Sequence, residues 1–247
     1  MSYYRPLGFS ILPPIVKNLL LLNIAMFVLT AILQYTMRYD LTHVLGLHYV
    51  GSENFKPLQF VTYMFMHGSL SHIFFNMFAL WMFGSAIEHV WGPQKFLLYY
   101  LVTGIGAGVL QVVFQHIQLM DINEVLSPEQ VQIIKTEGAE VMSQSMNYKD
   151  SLMAKYNGIM NAPTVGASGA VFGLLLAFGM LFPDSYIYIY FAIPVKAKYF
   201  VMLYGLFELY MGIQNNPGDN VAHYAHLGGM LFGFLLIYYW RKKGTYL

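Results

Sequence analysis

The chain contains no cysteine. Disulfides, thiolate zinc sites and a cysteine nucleophile are thereby excluded, although the redox compartment stays open. Charge is nearly as scarce. Asp, Glu, Lys and Arg supply 10% of the 247 residues, against about 25% in an average soluble domain. The formal net charge of +1 offers no basic surface for nucleic-acid phosphates. A signal-peptide pattern is also missing: residues 1–14 are mixed and proline-containing, with no cleavage-site signature before the first apolar run.

What is present is apolar. Hydrophobic residues make up 57% of the chain and the mean hydropathy is +0.51. Sixteen Met, 19 Phe, 20 Tyr and 3 Trp suit lipid-facing and interfacial surfaces. The expected class is an all-α membrane protein that crosses the bilayer several times. Six apolar runs lie at about 16–36, 69–87, 95–115, 168–182, 197–213 and 222–240. The chain then divides into a segment 1–15, a six-helix domain 16–240 with an insertion at 117–165, and a tail 241–247.

Lys and Arg set the orientation. Arg5, Lys17, Lys95, Lys196, Lys198, Arg241, Lys242 and Lys243 all fall on one side of this six-run scheme. That side is expected to be cytoplasmic, with both termini on it. The long loops, including a net acidic insertion, face the other way. The fourth run is short: Ser168 to Phe182 is 15 residues, about 22 Å at 1.5 Å per residue. The hydrocarbon core is about 30 Å thick. With Pro183-Asp184 ending the run, Ser168 is expected below the outer surface, in a cavity that opens outward.

Within the insertion, Ser127-Pro128-Glu129-Gln130 predicts a helix start with a capping box. A second short helix is expected over roughly Asn147 to Asn157, ending at Gly158. These helices are read as a cap on the bundle or as a lid over it.

Ser168 stands in Gly166-Ala167-Ser168-Gly169 and His226 in Ala225-His226-Leu227-Gly228-Gly229. A serine is a weak nucleophile until a base takes its proton and donors hold the oxyanion. Histidine titrates in the range the base needs. His226 lies about 7 Å into the sixth run, comparable to the depth inferred for Ser168. Gly169 and Gly173 on one run, and Gly229 and Gly233 on the other, form small-residue faces that permit close approach. His72 and Asn76, at i and i+4, share a helix face. They read either as a polar pair gluing helices or as oxyanion donors beside the Ser168 N–H. Glu208 is an ionisable residue inside a run and a functional suspect; its plainer reading is a hydrogen-bonded Glu facing the bundle.

Together, Gly166-Ala167-Ser168-Gly169, His72-x-x-x-Asn76 and Ala225-His226-x-x-Gly229-x-x-x-Gly233, in this order, resemble the rhomboid intramembrane serine proteases. The resemblance runs from about residue 55 to 240. It implies a six-span rhomboid bundle of the compact bacterial type, with a partly helical insertion between spans three and four. It also implies Ser168 as nucleophile, His226 as general base and acid, and His72, Asn76 and the Ser168 N–H as oxyanion donors. Phe172 stands where a ring stacks on the catalytic histidine. Glu88 matches a structural acidic residue of the family. Such proteases work with a dyad without a third acidic residue, which agrees with the lack of an obvious Asp partner here. His223 is assigned to holding water or hydrogen-bonding near the site. One departure is Leu58-Gln59, where many members carry Trp-Arg.

The implied function is an endopeptidase that cuts transmembrane segments of other membrane proteins. Its partners are such substrates and the lipid bilayer, with no nucleic acid, no metal and no cofactor. A bacterial inner membrane is the expected location, with the site opening to the extracytoplasmic side. Two other classes compete: a non-catalytic relative that escorts membrane clients, and a transporter using Glu208 and the histidines. Retention of both Ser168 and His226 disfavours the first. The absence of an inverted repeat disfavours the second. The natural substrate and the oligomeric state are not encoded legibly.

Overall fold

Two prolines start the first helix. Pro13 caps and Pro14 opens α1, Pro14–Met37, where a missing N–H costs nothing. The next two amides, of Ile15 and Val16, donate to the Glu88 carboxylate at 2.9 and 2.8 Å. Glu88 is therefore a cap for a helix distant in sequence. A computed structural model describes residues 12–144, 146–189, 192–214 and 221–244.

The first loop holds α2, Leu41–Leu45, and α3, Gln59–Thr62, followed by a 3-10 turn at Tyr63–Phe65. Gln59 is buried and ties this loop together. It accepts from the His48 and Lys56 amides and donates to the Val44 and Asn54 carbonyls. Ser69 then caps α4, Leu70–Ala79, by accepting from the His72 amide at 3.1 Å. A π-helical segment, Leu80–Gly84, joins α4 to α5, Ser85–Trp91. The apolar periodicity gave no sign of this interruption. Gly92, at φ +77°, turns the chain directly into α6, Pro93–Asn123.

α6 is the central helix, and it runs past residue 117, where the insertion was expected to begin. Its buried Thr103, Gly104, Gly106, Ala107 and Gly108 let neighbours approach closely. α7, Pro128–Ser143, has the expected capping box of Ser127 and Gln130. α8 runs over Ser151–Asn161, later than expected, because Asp150 accepts from the Leu152 and Met153 amides. Gly158 lies inside it and does not end it. The buried Asn157 donates to the Gly138 carbonyl and to Asn147 Oδ1, fastening α8 to α7.

The short helix α9, Ser168–Leu181, is almost wholly apolar. After it comes a two-stranded antiparallel hairpin, β1 Tyr186–Ile189 and β2 Ile193–Lys196, with Tyr186 opposite Lys196. It adds a small sheet to a fold expected to be all-α. The alternating Tyr and Ile residues have high strand propensity. α10, Ala197–Gln214, and α11, His223–Lys242, complete the bundle, and α11 packs on α6, α9 and α10.

Among the described residues, three helices are long and apolar enough to cross a membrane: Pro14–Met37, Leu70–Trp91 and Pro93–Asn123. α9 is apolar but shorter. α10 and α11 have 18 and 20 residues and carry Glu208, His223 and His226 buried on their inner faces. Outward, α1, α10 and α11 expose Leu21, Leu29, Leu203, Leu206, Leu231 and Phe234. Apolar surface on that scale suits a lipid surround rather than water. The chain is a mostly helical membrane protein.

Candidate active site

Ser168 is placed by the backbone ahead of it. Leu47 and Thr164 exchange amide–carbonyl bonds of 2.8 Å in both directions. The Gly166 amide donates to the Tyr63 carbonyl at 3.0 Å. Gly166 has φ +126°, a conformation that side chains resist. A methyl group there would also stand 2.7 Å from His72 Nε2 and 3.6 Å from Ser168 Oγ. The bare glycine therefore lets His72 and Ser168 flank the same point.

His226 meets the serine from α11. Its Nε2 lies 2.9 Å from Ser168 Oγ. Phe172, one turn below Ser168, lies parallel to the imidazole, with ring centroids 4.1 Å apart and planes 6° apart. The helices carrying the pair touch backbone to backbone, since any Cβ at Gly229 would collide with the Gly169 carbonyl. Deeper, the two glycine faces part. Gly173 packs on Thr103, Gly233 packs on Tyr99, and the Tyr99 hydroxyl donates to the Gly173 carbonyl at 2.8 Å. The four glycines thus serve a three-helix junction with α6, with direct α9–α11 contact at its upper end.

His72 and Asn76 border the same cavity as Ser168 and His226. One N–H of the Asn76 amide donates to the His72 carbonyl at 3.1 Å, so the amide has a second N–H to offer. Behind His72, the His67 ring makes an edge contact at 5.1 Å. Burial, with the nearby His72, pushes His67 down to about 4, so it packs as a neutral ring. The cavity is about 1470 Å³. Phe75, Phe78 and Met82 line one side of it, and Phe200, Tyr204 and Phe207 the other. Asn147, Ser151 and Lys155 of the insertion border it as well.

The expectation that His226 has no acidic partner is overturned. Glu208 Oε2, from α10, lies 2.8 Å from His226 Nδ1. The same oxygen lies 2.6 Å from His223 Nδ1. His223 is thus a partner of Glu208. The sequence marked Glu208 as an ionisable residue in an apolar run, but not its contact with a residue on another helix. These three side chains are the only group of metal-ligand type gathered among the described residues. Their spacings are those of hydrogen bonds; ligand atoms around a tetrahedral zinc stand about 3.3 Å apart.

Such a constellation places a hydroxyl, an imidazole, a carboxylate and amide donors around one cavity between apolar helices. The rhomboid domain family model matches residues 54–123 and 132–243. RHOMBOID-like protein 12, mitochondrial, of Arabidopsis thaliana is 31% identical over 185 residues, covering 73% of this chain and 46% of its own. An uncharacterized mitochondrial rhomboid protein of Schizosaccharomyces pombe is 28% identical over 209 residues, covering 75% and 52%. Rhomboid protease AarA of Providencia stuartii is 27% identical over 184 residues, covering 70% and 52%. The chain spans about half the length of these curated relatives. With most of its length matched by the family model, and with a helical membrane fold, the chain belongs to the rhomboid family.

Proposed function

We propose that this protein is an intramembrane serine endopeptidase. The observation that carries the reading is the 2.9 Å approach of His226 Nε2 to Ser168 Oγ at the edge of a large cavity. Ser168 attacks the scissile carbonyl while His226 takes its proton. The oxyanion that forms is held by the Ser168 N–H, His72 and Asn76, with the N-terminal dipole of α9 adding favourable potential. His226 then passes the proton to the leaving nitrogen, and water entering the cavity releases the acyl-enzyme.

The substrate is a transmembrane segment that enters sideways between α4 and α10, along the aromatic walls of the cavity. It must unwind there, because helical carbonyls are already hydrogen-bonded. Segments with Gly or Pro near the cut are favoured, since both weaken a helix. The domain is proposed to cross the membrane six times with both ends on one side. Named relatives come from mitochondria as well as bacteria, so the bacterial inner membrane is not part of this proposal.

The test is labelling of the detergent-solubilised protein by a fluorophosphonate serine probe, paired with cleavage of a transmembrane substrate in liposomes. Wild type should do both. Ser168→Ala and His226→Ala should do neither while keeping wild-type thermal unfolding. Substrate cleavage by purified Ser168→Ala would sink the assignment.

A further inference from the structure

A neutral imidazole carries one N–H and one lone pair. To accept the Ser168 proton, His226 must present its lone pair at Nε2, so its own hydrogen must sit on Nδ1. A buried N–H needs an acceptor, and an unmet one is costly in an apolar surround. Glu208 Oε2 meets it at 2.8 Å. The second donor on that oxygen, His223 Nδ1 at 2.6 Å, comes from the same helix as His226, three residues earlier. Two short contacts on one oxygen have the lengths of charge-assisted bonds to a carboxylate. All three residues are buried.

We propose that Glu208 is a positioning residue for His226: it fixes the Nδ1–H tautomer and balances the imidazolium formed in catalysis, with His223 holding the carboxylate in place. This rests on the serine-peptidase reading and adds a third member to a site of which the family resemblance implies only two. The proton balance is simple. As the Ser168 oxygen bonds to the scissile carbon, the hydroxyl proton moves to His226 Nε2 and the carbonyl pair becomes the oxyanion. Glu208 stays ionised throughout. When the C–N bond breaks, the proton leaves Nε2 for the departing nitrogen.

The direct test is Glu208→Gln in this whole chain, followed by the rate of fluorophosphonate labelling and by the His226 tautomer. Among the described residues, the titratable groups that border the cavity with His226 are, besides Glu208, His72 from α4, Lys155 from α8, Tyr204 from α10, and His223 and Tyr224 from α11; α9 contributes Ser168. A glutamine can turn its NH₂ toward Nδ1 and stabilise the wrong tautomer, so labelling should slow by at least about 100-fold. In nitrogen-15 histidine NMR the His226 proton should move from Nδ1 toward Nε2. His223→Gln should slow labelling less, by about 3- to 10-fold, because one donor to Glu208 survives. A purely structural role would reduce the folded fraction but leave rate and tautomer unchanged in what folds. Labelling of Glu208→Gln within about 3-fold of wild type, with the same tautomer, would overturn the proposal.

If Glu208→Gln does not fold, nitrogen-15 histidine NMR of the wild type in bilayers decides, with His226 assigned by the signal lost in His226→Asn. The proposal requires Nδ1 protonated and Nε2 bare; an Nε2–H tautomer refutes it. Failure of the parent reading looks different. Wild type would then not label, or Ser168→Ala would label equally, and the NMR would still decide the tautomer.

Discussion

Gly166 is the residue at which backbone and chemistry are hardest to separate. Its φ of +126° and its contact with His72 both require the missing side chain. In Gly166→Ala the new methyl meets His72 Nε2 at 2.7 Å, so His72 or the loop must move. The backbone strain is about 1–3 kcal/mol, and the fold is expected to survive with a modestly lower unfolding temperature. Substrate cleavage is expected to fall on the order of 100-fold, as when one oxyanion donor is lost. Cleavage close to wild type would show that His72 does not serve the reacting carbonyl. At this scale much was legible. Ser168 and His226 could be singled out, because helix period and motif order are local properties, and Phe172 followed from the family resemblance; the structure brings the three together. The link between Glu208 and His226 was not legible, because it depends on which faces α10 and α11 turn to each other. Nor did the glycine pattern reveal Tyr99, whose hydroxyl occupies the space where the α9 and α11 glycine faces part.

Among the elements, α1 shows how a helix lying largely in lipid is held to a bundle. Only Val16, Leu19 and Asn23 of its residues are buried, so its attachment relies on few contacts. Two of its orphan N-terminal amides end on Glu88, and a charged acceptor contributes more than a neutral one. Glu88→Ala should therefore destabilise the protein by about 2–3 kcal/mol. This would be read as a lower midpoint in thermal or denaturant unfolding in detergent. The activity of the remaining folded fraction should be unchanged, because Glu88 touches nothing in the cavity. An unchanged midpoint would mean that α1 is held by packing alone. The sequence located α7 well, because a capping box is written in four consecutive residues. It placed α8 too early, because the cap there is Asp150 and not Asn147. The π segment at Leu80–Gly84 left no trace in the apolar pattern, since every residue there is apolar except Gly84.

For the whole molecule, the decisive quantity is where the cavity sits relative to the bilayer. α9 has 14 residues and is therefore about 21 Å long, less than the roughly 30 Å hydrocarbon core. Its C-terminal end is tied to a charged cluster: Asp184 accepts from Lys196 and Lys198 at 3.0 and 2.9 Å. Charged groups of this kind seek the interface, and Lys sets the cytoplasmic side. If that end is fixed at one surface, Ser168 is about 9 Å below the other, a depth that suits a residue bordering a cavity. The insertion helices α7 and α8 then stand on the cavity's open side. The complete lack of cysteine makes this arrangement testable, because any introduced cysteine is the sole thiol in the chain. In right-side-out vesicles, an impermeant maleimide should label Glu140→Cys on the insertion and spare Lys198→Cys and Lys242→Cys. After lysis all three should label. Labelling of Lys198→Cys and Glu140→Cys from the same side would invert or break the proposed six-span path. The cavity would then open toward the lysine-rich face, and substrate segments would have to reach Ser168 from there.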